Sequence, residues 1–187
     1  SLTTIRQIDL KKIIAYSSVA HMGYVTLGLF SFNTIGVEGS IFLMLGHGVV
    51  SGSLFYSIGV IYDRYGTRLI SYYGGLVQSM PLFASFFLLF TLANISFPGT
   101  INFVGEMLVL IGSFYISPTL CIMASIGTAL GAVYSVWAYN RICFGKNNSI
   151  IWHNDISRRE CFIMSSFALM VIFFGIFPHF ILNFMHS

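Results

Sequence analysis

The sequence predicts an all-α fold: a multi-span membrane helix bundle of about five transmembrane helices, the third discontinuous at Pro98-Gly99, forming one membrane domain over residues 1–187. Three observations carry that prediction: apolar composition, the length of the apolar runs, and the confinement of basic residues to three stretches of chain. Apolar residues make up 56% of the 187 and charged residues 8%, with a mean hydropathy of +0.83. A soluble domain carries about 25% charged residues, so this composition cannot build a water-facing surface.

A helical crossing of a hydrocarbon core about 30 Å thick needs roughly 20 apolar residues. Runs of that kind extend over Ile13 to Phe32, Ile41 to Tyr62, Leu120 to Tyr139 and Cys161 to Phe184. A further run, Leu76 to Tyr115, is about twice the length one helix needs and contains Ser96-Phe97-Pro98-Gly99-Thr100 near its middle. It is therefore either two spans or one broken span. Its first part, Tyr72 to Leu82, reads as an interfacial lead-in.

Basic charge decides between the two. The nine Lys and Arg fall in three segments: Arg6, Lys11 and Lys12 before the first span, Arg64 and Arg68 after the second, and Arg141, Lys146, Arg158 and Arg159 between the fourth and fifth. Lys and Arg stay on the side from which helices insert. One broken crossing places all nine on one face, whereas two crossings send the last four to the other, so a single interrupted span is predicted. Such a break persists only where protein or a water-filled cavity satisfies the released backbone groups. Transporters use broken helices of this kind at their sites.

Other classes are excluded. The net charge of +3 is small and no basic arm is interleaved with exposed aromatics, so nucleic acid is not an expected partner. Cys121, Cys143 and Cys161 are widely spaced and odd in number, which suits apolar packing rather than a disulfide or metal framework. There is no nucleotide loop, nucleophile elbow or haem motif, and the chain carries no visible means of redox chemistry. Gly46, Gly48 and Gly52 read as a close-packing surface between helices. The chain opens on Ser1 with a mixed polar stretch rather than a signal peptide, as a chain entered partway through would.

Ionisable residues inside the spans carry the functional reading. Glu106 lies seven residues after Gly99, about 10 Å along the second half-helix. An acidic residue at that depth costs roughly 2.5 to 3.5 kcal/mol on insertion scales, so such groups face a bundle interior and usually serve ion or proton pathways. The plainer alternative is a protonated Glu hydrogen-bonded to a neighbouring helix. His21 and His47 each lie about 13 Å from opposite ends of their helices and so reach one depth. Ser17, Ser18 and Ser51 sit a turn away and are expected to give the imidazoles polar neighbours. Histidine accepts on one nitrogen while donating from the other, the property a relay requires. His179 and His186 near Pro178, and Trp152 and His153 in the polar loop, read as interfacial. Arg64 and Arg68 read first as positive-inside anchors and second as subunit contacts.

Four stretches carry a family resemblance. Arg6-Gln7-Ile8-Asp9-Leu10-Lys11-Lys12-Ile13-Ile14-Ala15-Tyr16-Ser17-Ser18-Val19-Ala20-His21-Met22 resembles the proton-antiporter-type subunits of respiratory NADH:ubiquinone oxidoreductase in their mitochondrial form. Leu45 to Ser51, Tyr62 to Arg68, and Leu92 to Thr100 continuing through Gly105-Glu106 agree in order and spacing. The resemblance implies a glutamate at Glu106 as the terminal ionisable residue of a half-membrane proton channel, with His47 and His21 on a hydrated central axis. It implies that the chain binds no cofactor, while the complex uses NADH, FMN, iron–sulfur clusters and ubiquinone. It implies the mitochondrial inner membrane, the basic face toward the matrix and Glu106 opening toward the intermembrane side. Partners would be the other membrane-arm subunits and membrane lipid such as cardiolipin.

The resemblance covers only the C-terminal five helices or so of such a subunit. The first-repeat Glu and two lysines of the family's relay have no counterpart here. The chain is then either a split-gene product that assembles with an N-terminal partner fragment, which is the expectation, or a piece of a longer subunit. Rival readings are a stand-alone cation/proton antiporter subunit and a purely structural assembly piece.

Overall fold

The computed structural model describes residues 2–145 and 154–186, the last without its side chain. In chain order the helices are α1 (Leu2–Ile5), α2 (Leu10–Leu29), α3 (Thr34–Tyr65), α4 (Leu76–Ser79), α5 (Pro81–Asn94), α6 (Ile101–Ile116), α7 (Pro118–Cys143), α8 (Arg158–Ile176) and α9 (His179–His186), with one 3-10 turn at Ile70–Tyr72. Three of them, α3, α7 and α8, are each long and apolar enough to cross a membrane. The half-helices α5 and α6 together supply another crossing. The remaining one is α2, whose 20 residues span about 30 Å but include Ser17, Ser18 and His21.

Helix α3 is the centre of the bundle. It runs 32 residues, about 48 Å, and ends where Gly66 takes the left-handed conformation at φ 66°. It packs along α6 and α2. The α3–α6 seam is close because it is built from glycine: a Cβ on Gly39 would come 2.6 Å from the Leu108 side chain, and one on Gly112 would come 2.7 Å from the Gly36 backbone. Of the glycines expected to pack, only Gly46 makes such an approach, to Ile101 and Asn102; Gly48 faces open space and Gly52 only grazes Phe167. The spacing of small residues marked a surface but not which face of α3 met another helix.

The break between α5 and α6 is a built feature. The Ser96 N–H donates to the Ala93 carbonyl and the Phe97 N–H to the Leu92 carbonyl, the two bonds of a Schellman stop. Ser96 occupies the left-handed position at φ 62°, normally taken by glycine, and Pro98 then forbids continuation. Gly99 turns the chain at φ 91°, and α8 closes against it, with a Cβ on Gly175 falling 2.3 Å from the Gly99 carbonyl oxygen. Protein backbone therefore shields the break from lipid on that side.

The basic segments meet at one end of the bundle. The Leu10 N–H donates to the Arg68 carbonyl, joining the stretch before α2 to the stretch after α3. Arg64 reaches the chain before α8, donating to the Asn154 and Asp155 carbonyls and to Glu160 at 2.8 Å. The Gly75 N–H donates to the Phe144 carbonyl. This is the arrangement one broken crossing requires. Arg64, at the basic end where the positive-inside reading puts it, is also an internal tie between helix ends. Lys146, Trp152 and His153 lie outside the described residues.

The last span is shorter than predicted. It is not one run from Cys161 to Phe184: α8 stops at Ile176 and a short α9 follows. Pro178 lacks an N–H and disfavours helix at the residue before it, and Phe177 accordingly leaves helical geometry at ψ 64°. His179 lies in α9, its Nε2 accepting from the Asn183 amide at 2.8 Å. Cys121, Cys143 and Cys161 are all free, Cys143 fully buried.

Candidate functional site

The site lies where α2, α3 and α6 converge just after the break. Gly105 and Asn102 sit on the buried face of α6 with Glu106, while Met107 points outward. The glycine seam lets that face approach α3 and α2 closely, and the three expected residues meet there. His21 Nδ1 lies 2.9 Å from Glu106 Oε1, and the His21 and His47 rings are 4.9 Å apart between centroids, tilted by 32°. Glu106, His47 and His21 are only 5%, 5% and 6% exposed, so solvent cannot screen their contact.

The His21–Glu106 contact admits two proton placements. With the proton on Nδ1, the imidazole donates to the carboxylate; with the proton on Glu106, the acid donates to the bare nitrogen. A short, buried contact with two such arrangements holds a proton that can move between its partners. Its energetic weight comes from the low local polarity, which strengthens the pair and penalises either member left alone.

The expected serine neighbours do not serve the imidazoles. Ser17 and Ser18 both donate to the Ile14 carbonyl and Ser51 donates to the Gly48 carbonyl. A hydroxyl in an apolar helix finds its acceptor on the preceding turn of its own backbone. Residues without that option fill the space instead. Asn102 is fully buried with both amide atoms unbonded to protein, as are both ring nitrogens of His47, the His21 Nε2 and the Asn94 Oδ1. Leaving a buried polar group unsatisfied costs about 1–3 kcal/mol, so groups of this kind are served by ordered water.

A chamber of about 10 Å³ adjoins Glu106, lined by His21, Tyr24, Asn94, Gly127 and Tyr134. That is room for about one water. Asn94 is the last residue of α5, so the broken end of the half-helix opens onto this chamber. Toward the basic end the next cavity, about 30 Å³, has a largely apolar wall that includes Leu10, Ile14, Leu54, Phe87 and Ile142, with Ser17, Thr91, Asn94, Tyr134 and Ser135 also lining it. Among the described residues no three His, Cys, Asp or Glu side chains are grouped to hold a metal ion.

Sequence reasoning missed Asn102, Asn94 and Tyr24. Asn102 precedes Glu106 by four residues and so shares its helix face, a signal that spacing carries. Tyr24, three residues after His21, carries the same signal for α2. Nothing in the sequence connects Tyr24 with α7, where its hydroxyl is held.

Together these features define a polytopic membrane protein with a discontinuous helix and a buried imidazole–carboxylate pair beside the break. Residues 1–131 match the family described as NADH:quinone oxidoreductase/Mrp antiporter, TM, and the chain belongs to that family. It is 58% identical over 188 residues to NADH-ubiquinone oxidoreductase chain 4 of Chondrus crispus, covering 100% of this chain and 38% of the relative. It is 48% identical over 180 residues to NADH-quinone oxidoreductase subunit M of Rhodobacter capsulatus, covering 95% of this chain and 35% of that one. The chain thus spans somewhat over a third of the length of these relatives and is similar to their C-terminal part. Among solved structures, a chain of respiratory complex I from Thermus thermophilus superposes with a TM-score of 0.90 at 32% identity, over 96% of this chain and 38% of that one. A chain of the Mrp complex from Dietzia shares the fold, with a TM-score of 0.88 at 19% identity over 97% of this chain and 42% of its own.

Proposed function

We propose that this chain is the C-terminal portion of a proton-translocating membrane-arm subunit of NADH:ubiquinone oxidoreductase, in the mitochondrial inner membrane. In it Glu106, His21 and His47 form the terminal part of a proton relay. The observation that carries this reading is the 2.9 Å His21–Glu106 contact, buried beside a helix break and continued by the His47 ring. Identity of 52–58% to several relatives named NADH-ubiquinone oxidoreductase chain 4 supports the choice of complex.

Glu106 exchanges a proton with one aqueous side, and His21 and His47 pass it along the bundle axis, driven by charge movement from quinone chemistry elsewhere. NADH, FMN, the iron–sulfur clusters and ubiquinone belong to other subunits. This portion then works with the remaining membrane-arm subunits, with an N-terminal part of the same subunit that supplies the earlier relay residues, and with lipid such as cardiolipin.

Glu106→Gln in the assembled complex tests the relay. Gln keeps the size and hydrogen bonding of the side chain but cannot release a proton. Proton translocation per NADH oxidised is expected to fall while the complex still assembles, and an unchanged ratio would refute the role. Migration of the chain apart from NADH dehydrogenase activity on a native gel would instead favour a stand-alone cation/proton antiporter.

A further inference from the structure

The Tyr24 hydroxyl stands between two spaces. On one side is the chamber at Glu106; on the other, an open groove of about 270 Å³ between α2 and α7, lined by Ala20, Gly23, Leu27, Met123, Ala124 and Gly127. Tyr24 lines both. Its hydroxyl donates to the Ala124 carbonyl at 2.6 Å, pinning the ring across from α2 to α7.

The groove has a direction. Tyr24 lies twelve residues past Lys12, about 18 Å from the basic end, and Ala124 lies six residues after Pro118, about 9 Å from the opposite end of the bundle. From Tyr24 the groove continues to Leu27 and Met123, away from the basic face. Toward the basic face lies a separate cavity, which Tyr24 does not line.

Position 127 fits the hydroxyl closely. A Cβ there would fall 2.6 Å from Tyr24 Oη, so the bond to Ala124 exists only because residue 127 is glycine. The Ala124 carbonyl lies in the interior of α7 and already serves the helix ladder. A second acceptor role on such a carbonyl is a bond the hydroxyl can leave and reform without unwinding α7.

We propose that Tyr24, docked on the Ala124 carbonyl over Gly127, is a latch that closes the Glu106 chamber from the groove leading to the membrane face opposite the basic end. Protons pass between Glu106 and that face when the hydroxyl leaves Ala124, and the chamber is sealed when it returns. Tyr24 is a positioning residue: it controls access to Glu106 and does not stand in for it. This inference rests on the relay reading above.

The test uses Tyr24→Phe in the intact complex, reconstituted in inner-membrane vesicles. Phe keeps the ring and its packing but cannot hold Ala124, so NADH oxidation is expected to continue while protons translocated per NADH fall and passive proton leak rises. Gly127→Ala is expected to do the same by displacing the hydroxyl, and Gly59→Ala, whose Cβ would meet open space, serves as the substitution control. A merely structural Tyr24 would lower the amount of assembled complex and leave the ratio and the leak as they were; that result overturns the latch. If Tyr24→Phe does not assemble, Gly127→Ala decides by the same ratio. Glu106→Gln, run in parallel, separates the two readings. Loss of translocation there with wild-type ratios in Tyr24→Phe and Gly127→Ala removes the latch alone, whereas an unaffected Glu106→Gln removes the relay and the latch with it.

Discussion

Gly105→Ala places one methyl group in the α3–α6 seam next to Glu106. Its Cβ would lie 2.8 Å from Leu43 Cβ and 2.9 Å from both Leu43 Cα and N, where ordinary contact begins near 3.4 Å. Two of the three obstacles are backbone, so no side chain can rotate away, and α6 must move outward by roughly 0.6 Å. Overpacking of this kind costs about 1–3 kcal/mol, offset by about 1 kcal/mol because alanine is the better helix former. Stability alone therefore changes little, and the sharper consequence is at the next residue. The shift is away from α3, and a displacement of roughly 0.6 Å is enough to take the 2.9 Å His21–Glu106 contact to the limit of a hydrogen bond where it runs along that contact. A hydrogen bond to a charged group contributes about 1.5–3 kcal/mol, tenfold or more in the equilibrium it governs. Gly105→Ala is thus expected to leave most of the complex assembled on a native gel while cutting NADH-driven proton translocation several-fold in sealed vesicles. Wild-type translocation in an assembled Gly105→Ala complex would show that the seam does not position the pair.

Arg64→Lys is expected to destabilise the basic end by about 1–3 kcal/mol, because one ammonium cannot replace the guanidinium bonds to Val60, Asn154, Asp155 and Glu160; thermal inactivation of the complex measures it, and an unchanged midpoint would refute the tie. Outside the spanning helices, burial pushes the Tyr73 phenol above its ordinary value of about 10 while its hydroxyl donates to the Thr67 carbonyl. Its stabilisation is full below pH of about 10 and is lost as pH rises through the raised folded value, so Tyr73→Phe is expected to flatten alkaline inactivation in that window. The double substitution His21→Gln with Glu106→Gln keeps a neutral hydrogen-bonding pair in place of an exchangeable proton. It is expected to assemble at least as well as either single variant yet translocate no better than Glu106→Gln, and restored translocation would make the pair structural.

The division between what the sequence disclosed and what it hid follows from how far each signal reaches. Glu106, His21 and His47 were legible because an ionisable side chain in an apolar run is costly wherever the bundle places it, and helical rise alone set them at one depth. The break was legible because Pro98 and Gly99 act locally, and the charge of distant loops fixed the number of crossings. Burial partners are not local. Ser17 and Ser18 looked like neighbours of His21 because they share its helix, yet their hydroxyls turn back to Ile14, and the direct partners of the imidazole come from α6 and α3. The glycines behaved likewise: Gly46, Gly48 and Gly52 share a short spacing, but only the one facing α6 carries a close approach. Pro178 was visible, and its effect on the last span was underread because the run remained apolar on both sides of it.

The break and the glycine seam solve one problem jointly. A continuous α5–α6 helix would satisfy its own backbone and offer the site nothing but side chains. Interrupting it frees the end of α5 at Asn94 to face the Glu106 chamber, while Gly175 of α8 covers Gly99 on the outside. Asn94 and Tyr134 also border the cavity toward the basic end, whose outer wall is Leu10, Phe87 and Ile142. The seam then fixes Glu106 against His21 by backbone contact, which flexible side chains could not hold to a few tenths of an ångström. A polar chamber beside the acid and a geometry held by the seam are both needed for a carboxylate to take a proton from a neighbour and release it. Losing either leaves a buried acid with no route or a route with no acid in place.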